Sequence, residues 1–184
     1  IKEATEKRGL LNLRTTPDAM PTILEKKNVD MLTGLKIFTK PEIESRYEIM
    51  MENYVKTDSI EAQTMVDMAR KEILPAVEQY TKALSDTLAA KLAVVPSLSS
   101  KYEVGTITKL STLVDQIDQA VGELEQVIFH LRTITSVTEA AFNIRDAVLP
   151  KMAALRVVCD EAETLTAESF WPFPTYDKLL FGVK

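Results

Sequence analysis

Apolar residues recur three and four positions apart along most of this chain, the spacing of one face of an α-helix. The clearest run is Ile107, Leu110, Val114, Ile117, Val121, Leu124, Ile128 and Leu131, whose steps alternate three and four without a miss. That is an a/d seam, widened by Leu113, Ala120, Val127 and Ile134. Three further segments carry the same period. One has Ile43, Tyr47, Met50 and Tyr54. A second has Met65, Ala69, Ile73, Val77, Tyr80, Leu84, Leu88 and Val95. The last has Ala141, Ile144, Val148, Met152, Leu155, Val158, Ala162 and Leu165. Helices of about 30 residues are roughly 45 Å long at 1.5 Å per residue. Such long, one-sided helices must pack side by side, so the pattern predicts an all-α fold: an antiparallel bundle of about four long helices with coiled-coil-like packing.

Local start signals divide these segments. Thr39-Lys-Pro-Glu42 is a capping box with Pro41 in the first turn. Asp58 and Glu61 form a second, which predicts that the helix from residue 40 breaks near Thr57 and restarts. Ser136 and Glu139 form a third, and Gly105-Thr106 is read as the opening of the seam helix after the loop VPSLSSKYEVG. Residues 1–38 read as an irregular arm. In it, Asp18 as N-cap would put Pro21 harmlessly in a first turn, whereas a start at Pro17 would cost a backbone bond. A second short helix is expected from Asn28 to about Ile37. At the other end, ESFWPFPTYDKLLF (168–181) places the only tryptophan beside Pro-Phe-Pro and follows it with a tyrosine and bulky apolar residues. A solvated tail would not carry that composition, so the segment needs a surface to lie on. The organisation expected is an arm at 1–38, a bundle at 39–169 and a docking tail at 170–184.

RKEILP (70–75) and RDAVLP (145–150) share Arg, a branched residue, Leu and Pro at the same offsets. Interior proline costs a helix roughly 3 kcal/mol and bends it. Two helices kinked at matching places would curve together. Coincidence between two apolar helices is the plainer explanation, and six residues do not establish a duplication.

Composition narrows the function classes. The net charge of −5 argues against a phosphate-binding surface for nucleic acid. No apolar run approaches the roughly 20 residues that span a bilayer, so no membrane partner is expected. There is no secretory pattern, and one cysteine cannot form an internal disulfide, so the cytoplasm is the expected compartment. The chain starts with Ile1 and reads as a piece of a longer polypeptide. His130, the only histidine, sits beside seam residues Ile128 and Leu131 and reads as a helix-flank side chain. A phosphotransfer histidine would want Lys and Gly soon after it, where Thr133 and Ile134 stand. One histidine cannot supply the two Glu-x-x-His motifs of a di-metal bundle. Cys159 lacks partners for a zinc site and reads as a small core residue. No Gly-rich phosphate loop occurs. No catalytic, cofactor-binding or metal-binding residue is therefore assigned.

Three phrases nevertheless stand in order: KRGLLNLRTTPDAMP (7–21), SRYEIMMENYVKTDSIEAQTMVDMARKEILPAVEQY (45–80) and FWPFPTYDKLLF (170–181). Together they resemble the C-terminal region of type III glutamine synthetases, the large bacterial form. The similarity runs from near residue 7 to the end and is weakest from about 85 to 140. The resemblance implies a parent ligase that condenses glutamate with ammonia, using ATP and magnesium, through a γ-glutamyl phosphate. It implies an active site between neighbouring subunits of a ring, with metal-binding glutamates and substrate-binding arginines upstream of this chain.

The function expected is thus a non-catalytic helical domain for assembly or support of the catalytic domain. Its partners would be that domain and neighbouring subunits of a homo-oligomer. A free-standing adaptor bundle, binding a partner helix through the seam, is the alternative. Trp171, Phe173, Tyr176, Leu180 and Phe181 are the residues expected to pin the tail, either against the arm around Leu10 to Leu13 or as a cap on the open end of the bundle. Burial of one Trp and one Phe is worth several kcal/mol at about 25 cal/mol per Å².

Overall fold

The computed structural model describes residues 3–174 and 176–182, with backbone only for Tyr176 and Asp177. The chain is all-α, with no strand among the described residues. Its elements are α1 (Thr16–Ala19), α2 (Lys26–Gly34), α3 (Lys40–Met68), α4 (Leu74–Val94), α5 (Lys101–Leu131), α6 (Val137–Asn143), α7 (Leu149–Leu165) and α8 (Tyr176–Phe181). A 3₁₀ turn, Met20–Leu24, follows α1, and π-helical turns occupy Glu3–Lys7, Ala69–Ile73 and Ile144–Val148.

The capping signals at residues 39 and 136 work as the sequence suggests. The backbone N–H of Thr39 donates to Glu42 Oε2 at 2.7 Å, and its hydroxyl donates to the same oxygen at 2.8 Å. These bonds hold the Glu42 carboxyl below the usual range. Ser136 Oγ accepts from the backbone of Glu139 at 3.4 Å.

Four local expectations need correction. Thr15, not Asp18, caps α1: its Oγ1 accepts from the Asp18 N–H and donates to Asp18 Oδ2 at 2.6 Å. The helix starts at Thr16, and the cost foreseen at Pro21 is met by a change of winding. The chain tightens to 3₁₀ at Met20, which puts Pro21 in a new first turn. Second, α2 runs from Lys26 to Gly34. Lys36, with φ of 55°, closes it: Ile37 N–H bonds to Leu32 O and Lys36 N–H to Thr33 O, each at 3.0 Å. Third, α3 passes through Thr57 and Asp58 without a break. The apolar stripe keeps its phase there, from buried Met51 to buried Ala62, and Asp58 falls on the same face. Packing of the stripe outweighs a local cap. Similarly, α5 begins at Lys101, ahead of Gly105, because Glu103 belongs to its first turn and is buried in an ion pair with Lys91. That pairing holds the Glu103 carboxyl low.

Both interior prolines follow a π-turn. A proline ring collides with the carbonyl four residues before it, here Lys71 for Pro75 and Asp146 for Pro150. Wider winding at Ala69–Ile73 and Ile144–Val148 accommodates the ring while the helix continues. The second residue of each turn is an arginine that grips carboxylates. Arg70 makes a two-pronged bond to Glu125, at 3.0 and 2.6 Å, and reaches Asp118. Arg145 grips Asp146 at 2.6 and 2.7 Å and also bonds Asp18.

The chain packs as two units. The first contains the residues up to Glu61 together with Ile128–Leu149. Its core includes Pro17, Ile43, Met51, Ile128, Leu131, Ala141, Ile144 and Val148. Tyr47 and Thr138 share a hydroxyl bond of 2.9 Å, and the Arg145–Asp18 pair ties the arm to the last π-turn. Near that turn, Tyr54 Oη, Asp58 Oδ2 and Asn143 Oδ1 are enclosed with no hydrogen-bond partner among the described residues. Burial pushes the Asp58 carboxyl up, Glu61 adds to the rise, and the neighbouring Tyr54 hydroxyl opposes it.

The second unit contains Ala62–Val127 and the residues from Pro150 on. Leu110, Leu113, Ile117, Val121 and Leu124 bury the seam of α5, with Val77 and Leu84 from α4 and Leu155, Cys159 and Ala162 from α7. The polar ties Lys91–Glu103 and Arg70–Glu125 grow further apart in sequence with distance from the loop at 95–100, so α5 runs antiparallel to α4 and the end of α3. Lys151 bonds Glu123 at 2.7 Å and fastens α7 to α5.

Replacing Ile117, which is fully buried, by alanine is expected to cost about 2–5 kcal/mol in urea unfolding, whereas Phe129→Ala, at an exposed site, should stay within about 0.5 kcal/mol. Equal costs would mean that the seam does not hold the fold. Asp58→Asn should raise the unfolding midpoint at neutral pH. The native carboxyl titrates above its unfolded value, so its ionisation opposes folding above the native pKa. The gain should shrink as pH falls through that value and vanish below the unfolded one. A gain that persists in strong acid would rule out ionisation as its cause.

Candidate functional site

The segment after α7 is the part of the second unit that packing of long helices does not require. Thr166 ends α7 with its buried hydroxyl donating to the Ala162 carbonyl at 2.8 Å. The chain then turns tightly: Phe170 N–H bonds the Ala167 carbonyl at 2.8 Å, and Trp171 N–H is shared between Ala167 and Glu168 at 3.2 Å. The turn lays Phe170 on Tyr80 of α4, with ring centroids 5.4 Å apart. Trp171 and Phe173 form an edge-to-face pair at 6.4 Å and 76°, the arrangement favoured by the ring quadrupoles. Pro172 and Pro174 limit the conformations the segment must give up. Lys178 of α8 bonds Glu168 at 2.5 Å.

Trp171 and Phe173 are half-buried and line a cavity of about 400 Å³. Met65 and Met68 from the end of α3, and Ala69 and Ile73 from the π-turn, form one wall. Leu155 and Cys159 of α7 form another, and Leu179 of α8 also lines the cavity. The charged side chains of the lining among the described residues are Arg156, Asp160 and Glu163, all on α7. Arg156 Nε lies 3.4 Å from Asp160 Oδ2. Burial pushes the Cys159 thiol up to about 11, and the Asp160 charge contributes.

The other tail candidates lie differently. Leu180 and Phe181 are exposed. The Tyr176 side chain lies outside the described residues. Leu10 and Leu13 are exposed in the first unit, as is Leu11 between them, and Gly9 turns the arm just before them with φ of 65°. Cys159 is buried, as expected of a small core residue, and also borders the cavity, whereas the sequence pattern does not pair Phe170 with Tyr80. The one available signal was Tyr80 standing on the apolar face of its helix. His130 is exposed. Among the described residues no group of three or more His, Cys, Asp or Glu is placed to hold a metal ion.

Comparison with known proteins gives one family match and several relatives. The glutamine synthetase C-terminal domain family matches residues 1–92. A glutamine synthetase of Butyrivibrio fibrisolvens is 35% identical over 182 residues, 99% of this chain and 26% of that protein. A type-3 glutamine synthetase of Dictyostelium discoideum is 28% identical over 98% of this chain and 25% of its own length. A glutamine synthetase of Bacteroides fragilis is 25% identical over the same shares, 98% and 25%. The chain thus spans about a quarter of the length of these relatives.

A thiol with its pKa raised to about 11 holds little thiolate at mildly alkaline pH. Cys159 should therefore react with a disulfide reagent on the order of a hundredfold more slowly than a free thiol. Unfolding in urea should restore the ordinary rate, and fast labelling of the folded chain would contradict the burial.

Proposed function

Because the chain belongs to the glutamine synthetase C-terminal domain family, we propose that it is the non-catalytic helical part of a type III glutamine synthetase, serving the assembly of the oligomer or the support of the catalytic domain. On this reading the parent enzyme joins ammonia to glutamate with ATP and magnesium. Those groups bind upstream residues and none of the side chains described here. The partners are the chain's own catalytic domain and neighbouring subunits, and the compartment is the cytoplasm.

One observation carries the proposal beyond the family match. Leu10 and Leu11 are 60% and 64% exposed in the arm, with Leu13 beside them. A short, exposed run of leucines calls for a covering surface. Burial of Val121 and Ile128, with Val114 half-buried, speaks against the adaptor alternative, whose binding face would be the α5 seam. No helix among the described residues is long and apolar enough to cross a membrane.

The test uses the full-length enzyme. Leu10→Asp combined with Leu13→Asp should shift it to smaller species by light scattering, or lower its activity at unchanged size, with helicity retained. The 184-residue chain alone should be helical by circular dichroism and form no γ-glutamyl product. Unaltered assembly and activity in the double variant, or turnover by the chain alone, would refute the proposal.

A further inference from the structure

The cavity beside Trp171 has the features of a ligand site that neither the bundle nor the assembly role calls for. The pocket, of about 400 Å³ and partly open to solvent, lies within one unit, and its size falls in the roughly 300–1,000 Å³ range of small-molecule sites. Its inner surface is aromatic, thioether and aliphatic, from Trp171, Phe173, Met65, Met68 and Leu155. Such a surface accepts an apolar body of variable shape. Among the described residues, the charged groups of the lining lie on α7: the carboxylates Asp160 and Glu163 and the guanidinium Arg156. Arg156 pairs with Asp160, while Glu163 makes no ion pair among the described residues. The described lining therefore carries an excess negative charge together with two aromatic side chains, and both features attract a cation.

We propose that this cavity binds a small amphipathic amine, with its apolar body between Trp171, Phe173 and the Met65/Met68 wall and its ammonium group at Glu163. An anionic ligand of the same shape meets the wrong charge at the mouth. A neutral one gains only the apolar contacts. The site is independent of the assembly role, since none of its residues belongs to the exposed arm.

Trp171 is the only tryptophan in the chain and Cys159 the only cysteine, so both walls carry a reporter. The experiment titrates the chain near neutral pH with 4-phenylbutylamine, 4-phenylbutanol and 4-phenylbutyrate. It follows Trp171 emission and the rate of Cys159 modification. The amine should give a saturable emission change and slow the thiol reaction with the same half-saturation. It should bind about tenfold more tightly than the alcohol, and the carboxylate more weakly than either. Glu163→Gln should remove most of the amine's advantage and leave helicity and alcohol binding unchanged. No saturable response to the amine overturns the proposal. So does equal affinity for the three compounds, which would mark a merely apolar void. Trp171 emission that changes with protein concentration, without additive, would assign the cavity to a side chain of a second copy and also overturn it.

Discussion

The structure depends on one constraint: the apolar face of α5 cannot be left in water. Leu110, Ile117, Val121 and Leu124 are fully buried, and Ile128 and Leu131 nearly so. Each such side chain is worth about 1.5–3 kcal/mol when removed from solvent. Both units build part of their core on it, the second from Leu110 to Leu124 and the first from Ile128 and Leu131.

The other helices likewise keep their own apolar faces continuous at a local cost. α3 overrides a capping signal at Asp58 to keep its stripe in phase, and leaves a carboxylate oxygen enclosed without a partner. The helices containing Pro75 and Pro150 widen to a π-turn rather than stop. In each case the gain from continued burial exceeds the local cost of a lost bond or an awkward side chain. The arginines of the two π-turns then place their charge against carboxylates: Asp118 and Glu125 for Arg70, Asp18 and Asp146 for Arg145. The matched hexapeptides thus share a backbone conformation and a side-chain role as well as letters.

The tail shows a different balance. Phe170 and the Trp171–Phe173 pair rest on α4 and on each other, whereas Leu180 and Phe181 remain exposed. The aromatic phrase that distinguishes this chain from a generic bundle therefore shapes the mouth of a cavity instead of filling the core. An assembly role draws on the exposed arm and a ligand role on this cavity, and the two need not compete.

The sequence by itself determined the helical class, the seam and the caps at Thr39 and Ser136, because period and capping depend on residues within a few positions of one another. The family was legible too, since three phrases carry it without reference to contacts. Only the tertiary structure decided that Asp58 would lie inside a helix and that Cys159 and Met65 would line a pocket with Trp171. Those outcomes depend on what another segment, distant in sequence, places against the residue. Burial against such a partner is an energy that no local pattern contains.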